Sequence, residues 1–203
     1  MAVLSLHRQL PFYLQQQRQG AVARAALGVG PATPRGCDGS GMLSKAVLHY
    51  LRPFGFNLRS WSRSPQQLDG VECFAGAEQL TTFLGRCDML ICLLPLTEHT
   101  RGPLDARTLS TRPRGASLIN LGLCAHVVEH DLLDLLDSGQ LSHAILDVVQ
   151  KEPAAVQPPF WQHPNIWLTP HIGAVTMPGS AFAPLLNNPR RHQRGRPISN
   201  NQG

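Results

Sequence analysis

Three polar residues in the C-terminal third of the chain have types and spacing suited to proton transfer. Asp147 ends an apolar run, Glu152 precedes a proline, and His171 completes a Thr-Pro-His sequence. An imidazole exchanges a proton near neutral pH, and a neighbouring carboxylate raises the pKa of an imidazole and fixes its tautomer. The three residues therefore predict a general acid or base assisted by a carboxylate.

A glycine-containing turn opens the first regular helix of the chain. Gly39 and Gly41 let the backbone approach a pyrophosphate, and the helix start at Met42 and Leu43 supplies amide donors and a favourable dipole. Serine takes the place of the third glycine of the dinucleotide-binding pattern. The apolar run 22–27, followed by Gly-Val-Gly, is an alternative strand and turn, but the spacing to Arg63 favours Gly39.

The residues after the next strand predict which dinucleotide is bound. Ser62 and Arg63 follow Trp61, with no acidic residue beside them. An acidic residue here would hold the ribose 2′-hydroxyl of NAD, whereas arginine suits the 2′-phosphate of NADP. We therefore expect NADP to be preferred, with NAD possible as a second cofactor.

The order of elements predicts a doubly wound α/β fold of Rossmann type. Apolar strands alternate with helices and no two-residue hairpins occur, which favours a parallel sheet covered on both faces. Pro34–Asp38 is too polar to be the strand expected before Gly39, so the first strand is expected to be damaged or displaced. The predicted helices are 11–19, 42–52, 77–85 and 131–136, and the predicted strands are 56–61, 88–95, 116–121 and 143–148.

Composition and charge limit the classes of protein to which the chain can belong. No apolar run approaches membrane-spanning length, and five scattered cysteines without a C-x-x-C pair fit a reducing, cytoplasmic compartment. The net charge of +5 arises at the ends: residues 1–37 and 187–203 each hold four arginines and no acid. Neither end combines dense basic runs with aromatic residues, so nucleic-acid binding is not expected.

The domain prediction follows from these patterns. Residues 1–38 are interpreted as a helix with a Gly/Pro-rich connector, 39–176 as the cofactor-binding domain, and 177–203 as a basic, disordered tail.

Taken in order, a set of short motifs resembles the D-isomer-specific 2-hydroxyacid dehydrogenases, and more narrowly their A-type glyoxylate/hydroxypyruvate reductases. The resemblance runs continuously over about 39–176. The motifs are Trp61-Ser62-Arg63, Leu93-Leu94-Pro95-Leu96-Thr97, Ile119-Asn120-Leu121, His126-Val127-Val128-Glu129, Leu146-Asp147-Val148, Glu152-Pro153, Phe160-Trp161-Gln162-His163-Pro164 and Thr169-Pro170-His171.

The resemblance implies a reaction and a role for each residue. NAD(P)H would deliver hydride to the C2 keto carbon of a small 2-keto acid such as glyoxylate or hydroxypyruvate. His171 would protonate the forming alkoxide and Glu152 would pair with it. Asp147 would help hold the nicotinamide. The adenosine side would be lined by Leu94, Pro95 and Thr97. The resemblance also implies a homodimer formed through the cofactor domain.

Three departures from the family pattern favour a second interpretation. Leu123 stands where the family has the arginine that clamps the substrate carboxylate, and Cys124 stands where glycine is usual. Leucine offers no donor, and a donor of this kind is typically worth about 3–4 kcal/mol in the transition state. The separate substrate domain of the family is also largely absent. The alternative is therefore a truncated or degraded, catalytically impaired cofactor-binding module.

A remote alternative rests on residues 126–130. His126-Val127-Val128-Glu129-His130 matches the H-x-x-E-H pattern of inverted zincins, in which two histidines four apart on a helix share a zinc. The same residues fit a strand-to-helix junction, where Glu129 suits a helix N-terminus. We therefore expect no metal site here.

Overall fold

A computed structural model of the chain describes residues 1–21, 35–38, 41–94, 104–122, 124–148 and 160–173, with Gln193. At 35–38, Met42 and Cys124 it describes the backbone alone. The helices are α1 (Ala2–His7), α2 (Leu10–Arg18), α3 (Met42–Leu51), α4 (Ala77–Gly85), α5 (Ala106–Ser110) and α6 (Glu129–Asp137). The strands are β1 (Arg35–Asp38), β2 (Leu58–Ser62), β3 (Val71–Ala75), β4 (Met89–Cys92), β5 (Ala116–Asn120), β6 (Leu141–Leu146) and β7 (Ile166–Leu168).

Across the described residues, seven strands form one parallel sheet in the order β3-β2-β1-β4-β5-β6-β7. The strand order reverses between β1 and β4, where the chain moves from one half of the sheet to the other. In open α/β sheets, ligands bind outside the carboxyl ends of the strands at such a reversal. The topology thus directs attention to the residues that follow β1, β2, β4, β5 and β6.

Two apolar layers cover the faces of the sheet, which explains why its strands β4, β5 and β6 are largely apolar. Alternate residues of β4 separate cleanly: Met89 and Ile91 pack in one layer, whereas Leu90 and Cys92 pack in the other. On the first face α1 and α3 supply Val3, Leu6, Leu48 and Leu51. The second layer contains side chains from α4, α5 and α6.

The prediction that Pro34–Asp38 contains no strand is wrong for Arg35–Asp38, which form β1. This segment pairs in parallel with β2 on one side and β4 on the other. Ladder hydrogen bonds use main-chain N–H and C=O groups that every non-proline residue has, so two flanking strands can hold a polar segment. The boundary at 38–39 stays a prediction, although β1 belongs to the same sheet as the residues after it.

A buried arginine ties the amino edge of the sheet together. Arg112 is only 3% exposed, and its guanidinium donates hydrogen bonds to the carbonyls of Cys87 and Ser117, at 3.2 and 2.7 Å from Nη2. Burial lowers the pKa of Arg112 to about 10. The side chain thus joins the segment before β4 to the start of β5. It lies at the amino ends of the strands, opposite the carboxyl ends where a ligand would bind.

None of the helices in the described residues is long and apolar enough to cross a membrane. The predicted tail, 177–203, lies outside the described residues apart from Gln193. Its predicted disorder is therefore untested.

Candidate active site

The helix that follows β1 begins with an exposed glycine. Gly41 caps α3 in an extended conformation, with φ −67° and ψ 170°, and offers no side-chain acceptor to the first amides of the helix. A Cβ at Gly41 would meet no atom within 4 Å, so a bound group has room beside the backbone. Helix N-termini with free amides and a positive dipole end suit phosphate. This end of α3 fits a pyrophosphate.

The next residues of α3 differ in their exposure to solvent. Leu43 is exposed and Ser44 is 1% exposed on α3. The Ser44 hydroxyl has no hydrogen-bond partner among the described residues. A serine in place of the third glycine is therefore accommodated, but as a buried polar group. Gly39 lies outside the described residues, and only the backbone of Met42 is described.

The turn after β2 presents Arg63 to solvent. Ser62 is 5% exposed, and its hydroxyl donates to the Ser64 carbonyl at 2.7 Å. The Ser62 carbonyl accepts the amide of Gly76 at 3.0 Å, and Trp61 Nε1 donates to the Gly76 carbonyl at 2.8 Å. These bonds fix the backbone on both sides of Arg63 at the carboxyl end of β2, next to β1. An exposed guanidinium there is suited to a 2′-phosphate.

At the carboxyl end of β6, a buried carboxylate organises the segment that contains His171. Asp147 is 3% exposed. Its Oδ1 accepts hydrogen bonds from the Thr169 hydroxyl and from the Ile172 amide at 3.0 Å, and its Oδ2 accepts the Gly173 amide at 2.7 Å. The residues that form these bonds bracket His171. We call the Asp147 carboxylate with its three donors the Asp147 clamp.

The balance of forces on Asp147 keeps it ionised. Burial raises the pKa of Asp147, but the hydrogen bonds from Thr169, Ile172 and Gly173, with a smaller contribution from the charge of His171, outweigh burial and lower it. Hydrogen bonds donated to a carboxylate favour its charged form. The clamp is therefore a charge-assisted arrangement near neutral pH.

The backbone of His171 adopts an uncommon conformation. Its φ is 54°, in the left-handed region, and Gln9 is the other non-glycine residue with positive φ among the described residues. The His171 amide donates to the Asp147 carbonyl at 2.9 Å, and its side chain is exposed. Residues held in such conformations cluster at functional sites, where the surroundings over-determine them. Here the Asp147 clamp supplies that constraint.

A further polar contact joins neighbouring strand ends. Asn120 is 1% exposed at the end of β5; its Oδ1 accepts the Gly122 amide at 3.2 Å, and its carbonyl accepts the Asp147 amide at 3.0 Å. The loop after β5 and the Asp147 clamp are thus adjacent. Leu123, which follows Gly122, lies outside the described residues, and nothing is described of the Cys124 side chain.

The 126–130 motif is divided between two elements. His126 lies in a 3₁₀ turn (Cys124–His126) and is fully buried, whereas the side chain of His130 is 82% exposed on α6 and contacts Asp134 Oδ2 at 3.0 Å. The remote alternative needs both histidines on one helix, and the structure does not place them so; Glu129 is instead the first residue of α6. In the described part of the chain no three His, Cys, Asp or Glu residues group as metal ligands.

The predicted residues fall into two groups. The structure brings Asp147 and His171 together, and it sets Gly41, Ser62, Arg63 and Leu94 at the carboxyl ends of β1, β2 and β4. Glu152, Pro95 and Thr97 lie outside the described residues. Sequence reasoning missed Thr169 and Asn120 as structural partners. Their signal is a polar residue directly after, or at the end of, an apolar parallel strand.

Three features define a Rossmann-type dinucleotide-binding domain. They are a parallel sheet whose strand order reverses, a helix with a glycine N-cap after the first strand, and a hydrogen-bonded turn that contains Arg63 after the second strand. Comparison with known proteins is consistent with this class. The chain belongs to the D-isomer specific 2-hydroxyacid dehydrogenase family: the model of that family's NAD binding domain matches residues 1–173.

Curated relatives include two proteins named glyoxylate/hydroxypyruvate reductase A. The one from Serratia proteamaculans is 49% identical over 153 residues, 75% of this chain and 49% of that protein. The one from Yersinia enterocolitica is 44% identical over 161 residues, 79% of this chain and 51% of that protein. The chain thus spans about half the length of these relatives.

Solved structures of the same family superpose closely. A D-isomer specific 2-hydroxyacid dehydrogenase from Xanthobacter autotrophicus Py2, in complex with NADPH and MES, has a TM-score of 0.93 and 36% identity, covering 98% of this chain and 82% of that one. The NADPH-dependent glyoxylate/hydroxypyruvate reductase from Sinorhizobium meliloti, in complex with NADP and sulfate, has a TM-score of 0.92 and 33% identity, covering 98% and 64%.

Proposed function

We propose that this chain is the cofactor-binding portion of an NADP-dependent reductase of small 2-keto acids, with glyoxylate and hydroxypyruvate as the substrates to test first. The observation that carries the proposal is the Asp147 clamp, which holds His171 in a left-handed conformation beside the carboxyl ends of β5 and β6. The names of the relatives support the substrate class.

The proposed cofactor is NADP, with NAD as the weaker ligand. Gly41 and the start of α3 would receive the pyrophosphate, because the site has open space and amide donors. Arg63 would pair with the 2′-phosphate, and Leu94 with Pro95 and Thr97 would line the adenosine side. When bound, the reduced nicotinamide supplies a hydride. The NADPH and NADP complexes of similar proteins support this assignment.

The proposed proton donor is His171. As hydride reaches C2 of the keto acid, the carbonyl oxygen gains negative charge and takes the proton from the imidazole, which gives the neutral hydroxyl of the 2-hydroxy acid. Glu152 would pair with the imidazole. Asp147 would hold the segment that presents His171 and, as the resemblance implies, contact the nicotinamide. Its carboxylate oxygens already accept three hydrogen bonds.

The alternative is a cofactor-binding module with impaired turnover. Leu123 has no group that binds a carboxylate, and substrate positioning precedes proton transfer. We further propose a cytoplasmic location and a homodimer formed through the cofactor domain. Neither NADP binding nor the fold depends on which alternative is correct.

The first test of the proposal is nucleotide binding. Purified chain would be titrated with NADPH and with NADH, following the rise in melting temperature. We expect a larger rise with NADPH, and Arg63→Gln should weaken NADPH binding about tenfold or more while NADH binding is unchanged. Arg107→Gln, which changes an exposed arginine on α5, is the matched control. A folded protein that responds to neither nucleotide would refute cofactor binding.

The second test separates the reductase from the impaired module. Consumption of NADPH with glyoxylate or hydroxypyruvate would be measured for the parent chain and for Leu123→Arg. If the arginine restores a missing transition-state contact, kcat/KM should rise by about 10²–10³. His171→Gln in the Leu123→Arg background should abolish the gain. A measurable parent rate equal to that of Leu123→Arg would exclude the impaired-module alternative, whereas no turnover by either chain would overturn the reductase proposal for this chain.

A further inference from the structure

His126 connects two strand ends that the proposed function assigns to different sides of the site. Its ring is fully buried, and Nε2 lies 2.9 Å from the Leu94 carbonyl oxygen, just beyond the end of β4. A carbonyl oxygen only accepts, so the imidazole must carry its proton on Nε2 and donate it to Leu94. The bond spans 32 positions of sequence.

The same ring also contacts the loop after β5. A Cβ built at Gly122 would lie 3.1 Å from Cδ2 of His126 and 3.2 Å from the Leu94 carbonyl oxygen. These three groups therefore meet within the space that one methyl group would need. The main chain on either side of the ring is held as well, because the His126 carbonyl accepts the Leu104 amide at 3.0 Å and the Val128 amide donates to the Leu104 carbonyl at 3.2 Å.

We infer that His126 is a positioning residue for the reductase site, because it holds the end of β4 against the loop that follows β5. The end of β4 precedes the residues proposed to line the adenosine side, and the loop after β5 precedes position 123. The inference rests on the proposed function, because that function gives the two strand ends their roles. The ring makes a directed bond to the strand-end carbonyl, at a distance typical of a full hydrogen bond, and this bond joins a residue that follows β5 to the end of β4.

The test compares two substitutions that differ in the donor. His126→Leu introduces an apolar side chain of similar size and removes the N–H donor. His126→Gln retains an N–H donor on a side chain of similar length. We expect the Kd for NADPH to rise about tenfold in His126→Leu and to stay within about threefold of the parent in His126→Gln. Binding would be followed by NADPH fluorescence, at a temperature where each variant is folded.

A matched control lies before β7, at the amino ends of the strands and away from the proposed site. The imidazole of His163 is also largely buried, and its Nε2 is bonded to Asp137 Oδ1 at 3.2 Å. His163→Leu should therefore alter stability but leave the Kd for NADPH unchanged. Gly122→Ala is a second variant that keeps His126, and its added methyl should separate the ring from Leu94 and weaken NADPH binding.

The outcomes distinguish this inference from the proposed function. An unchanged Kd in both His126→Leu and Gly122→Ala overturns the inference while the proposed function stands. Equal losses in His126→Leu and His126→Gln would assign the effect to packing and overturn it too, as would an equal loss in His163→Leu. If the parent chain itself binds no NADPH, the proposed function fails first and the inference fails with it.

Discussion

Replacing Thr169 by valine should destabilise the protein in a way that depends on pH. Valine has nearly the shape of threonine but cannot donate to Asp147 Oδ1, so the Asp147 clamp loses one of its three hydrogen bonds. A hydrogen bond to a charged group is worth about 1.5–3 kcal/mol. We expect the free energy of unfolding of Thr169→Val at pH 7 to fall by about that amount.

The pH dependence follows from the direction of the pKa shift. The pKa of folded Asp147 is lowered by its hydrogen bonds, against an unfolded value of about 3.9. The folded state therefore binds the proton less readily, and its extra stability is present above about pH 4 and lost as the pH falls through the folded pKa. Removing the Thr169 donor raises the folded pKa. The difference between parent and variant should then become smaller as the pH falls below about 4.

Urea unfolding at pH 7 and at pH 3 would measure this difference. Thr111→Val is a matched control, because the Thr111 hydroxyl donates at 2.7 Å to the carbonyl of Thr108, a group that does not titrate. Its effect should be the same at both pH values. If Thr169→Val also shows a pH-independent loss, the carboxylate is not the acceptor that stabilises this segment, and the reasoning about the Asp147 clamp is refuted.

Three other substitutions have definite expected outcomes in thermal or urea unfolding. Ser44→Ala should stabilise the protein by about 1–2 kcal/mol, because it removes a buried hydroxyl that has no partner among the described residues and improves helix propensity; a loss of stability would mean that the hydroxyl is bonded. Arg112→Met should cost about 1–3 kcal/mol, since two buried carbonyls lose their donor; an unchanged or increased stability would contradict this. Gly173→Ala should cost about 1–3 kcal/mol, because the added Cβ would lie 2.8 Å from Asp147 Oδ2.

Much of the fold could be predicted because its strands β4, β5 and β6 are buried on both faces. Continuous apolar runs marked β4, β5 and β6, and the helix expected at 77–85 is α4, Ala77–Gly85. The strand β1 could not be found this way. Its residues are polar or small, and it forms because β2 and β4 provide hydrogen-bond partners on both sides. Those partners are distant in the sequence.

The residue types of the candidate site could be predicted from the sequence, but the hydrogen bonds between them could not. His171 and Asp147 stand out because each follows a strand in a short motif. That Asp147 bonds to Thr169, Ile172 and Gly173 depends on β6 lying beside β7, which has only three residues and no clear alternation. The role of His126 was also hidden, since its acceptor is a main-chain carbonyl that any residue could offer.

The Asp147 clamp also has a consequence for how this chain can vary. Asp147 and His171 are joined directly across neighbouring strand ends, by the amide of His171 and by the three donors around it. Their separation is therefore fixed by the spacing of two adjacent strands and not by the length of chain between β6 and β7. Glu152, the proposed partner of the imidazole, lies in the first part of that connection. Insertions or deletions between Glu152 and β7 should therefore leave Asp147 and His171 in the same relative position.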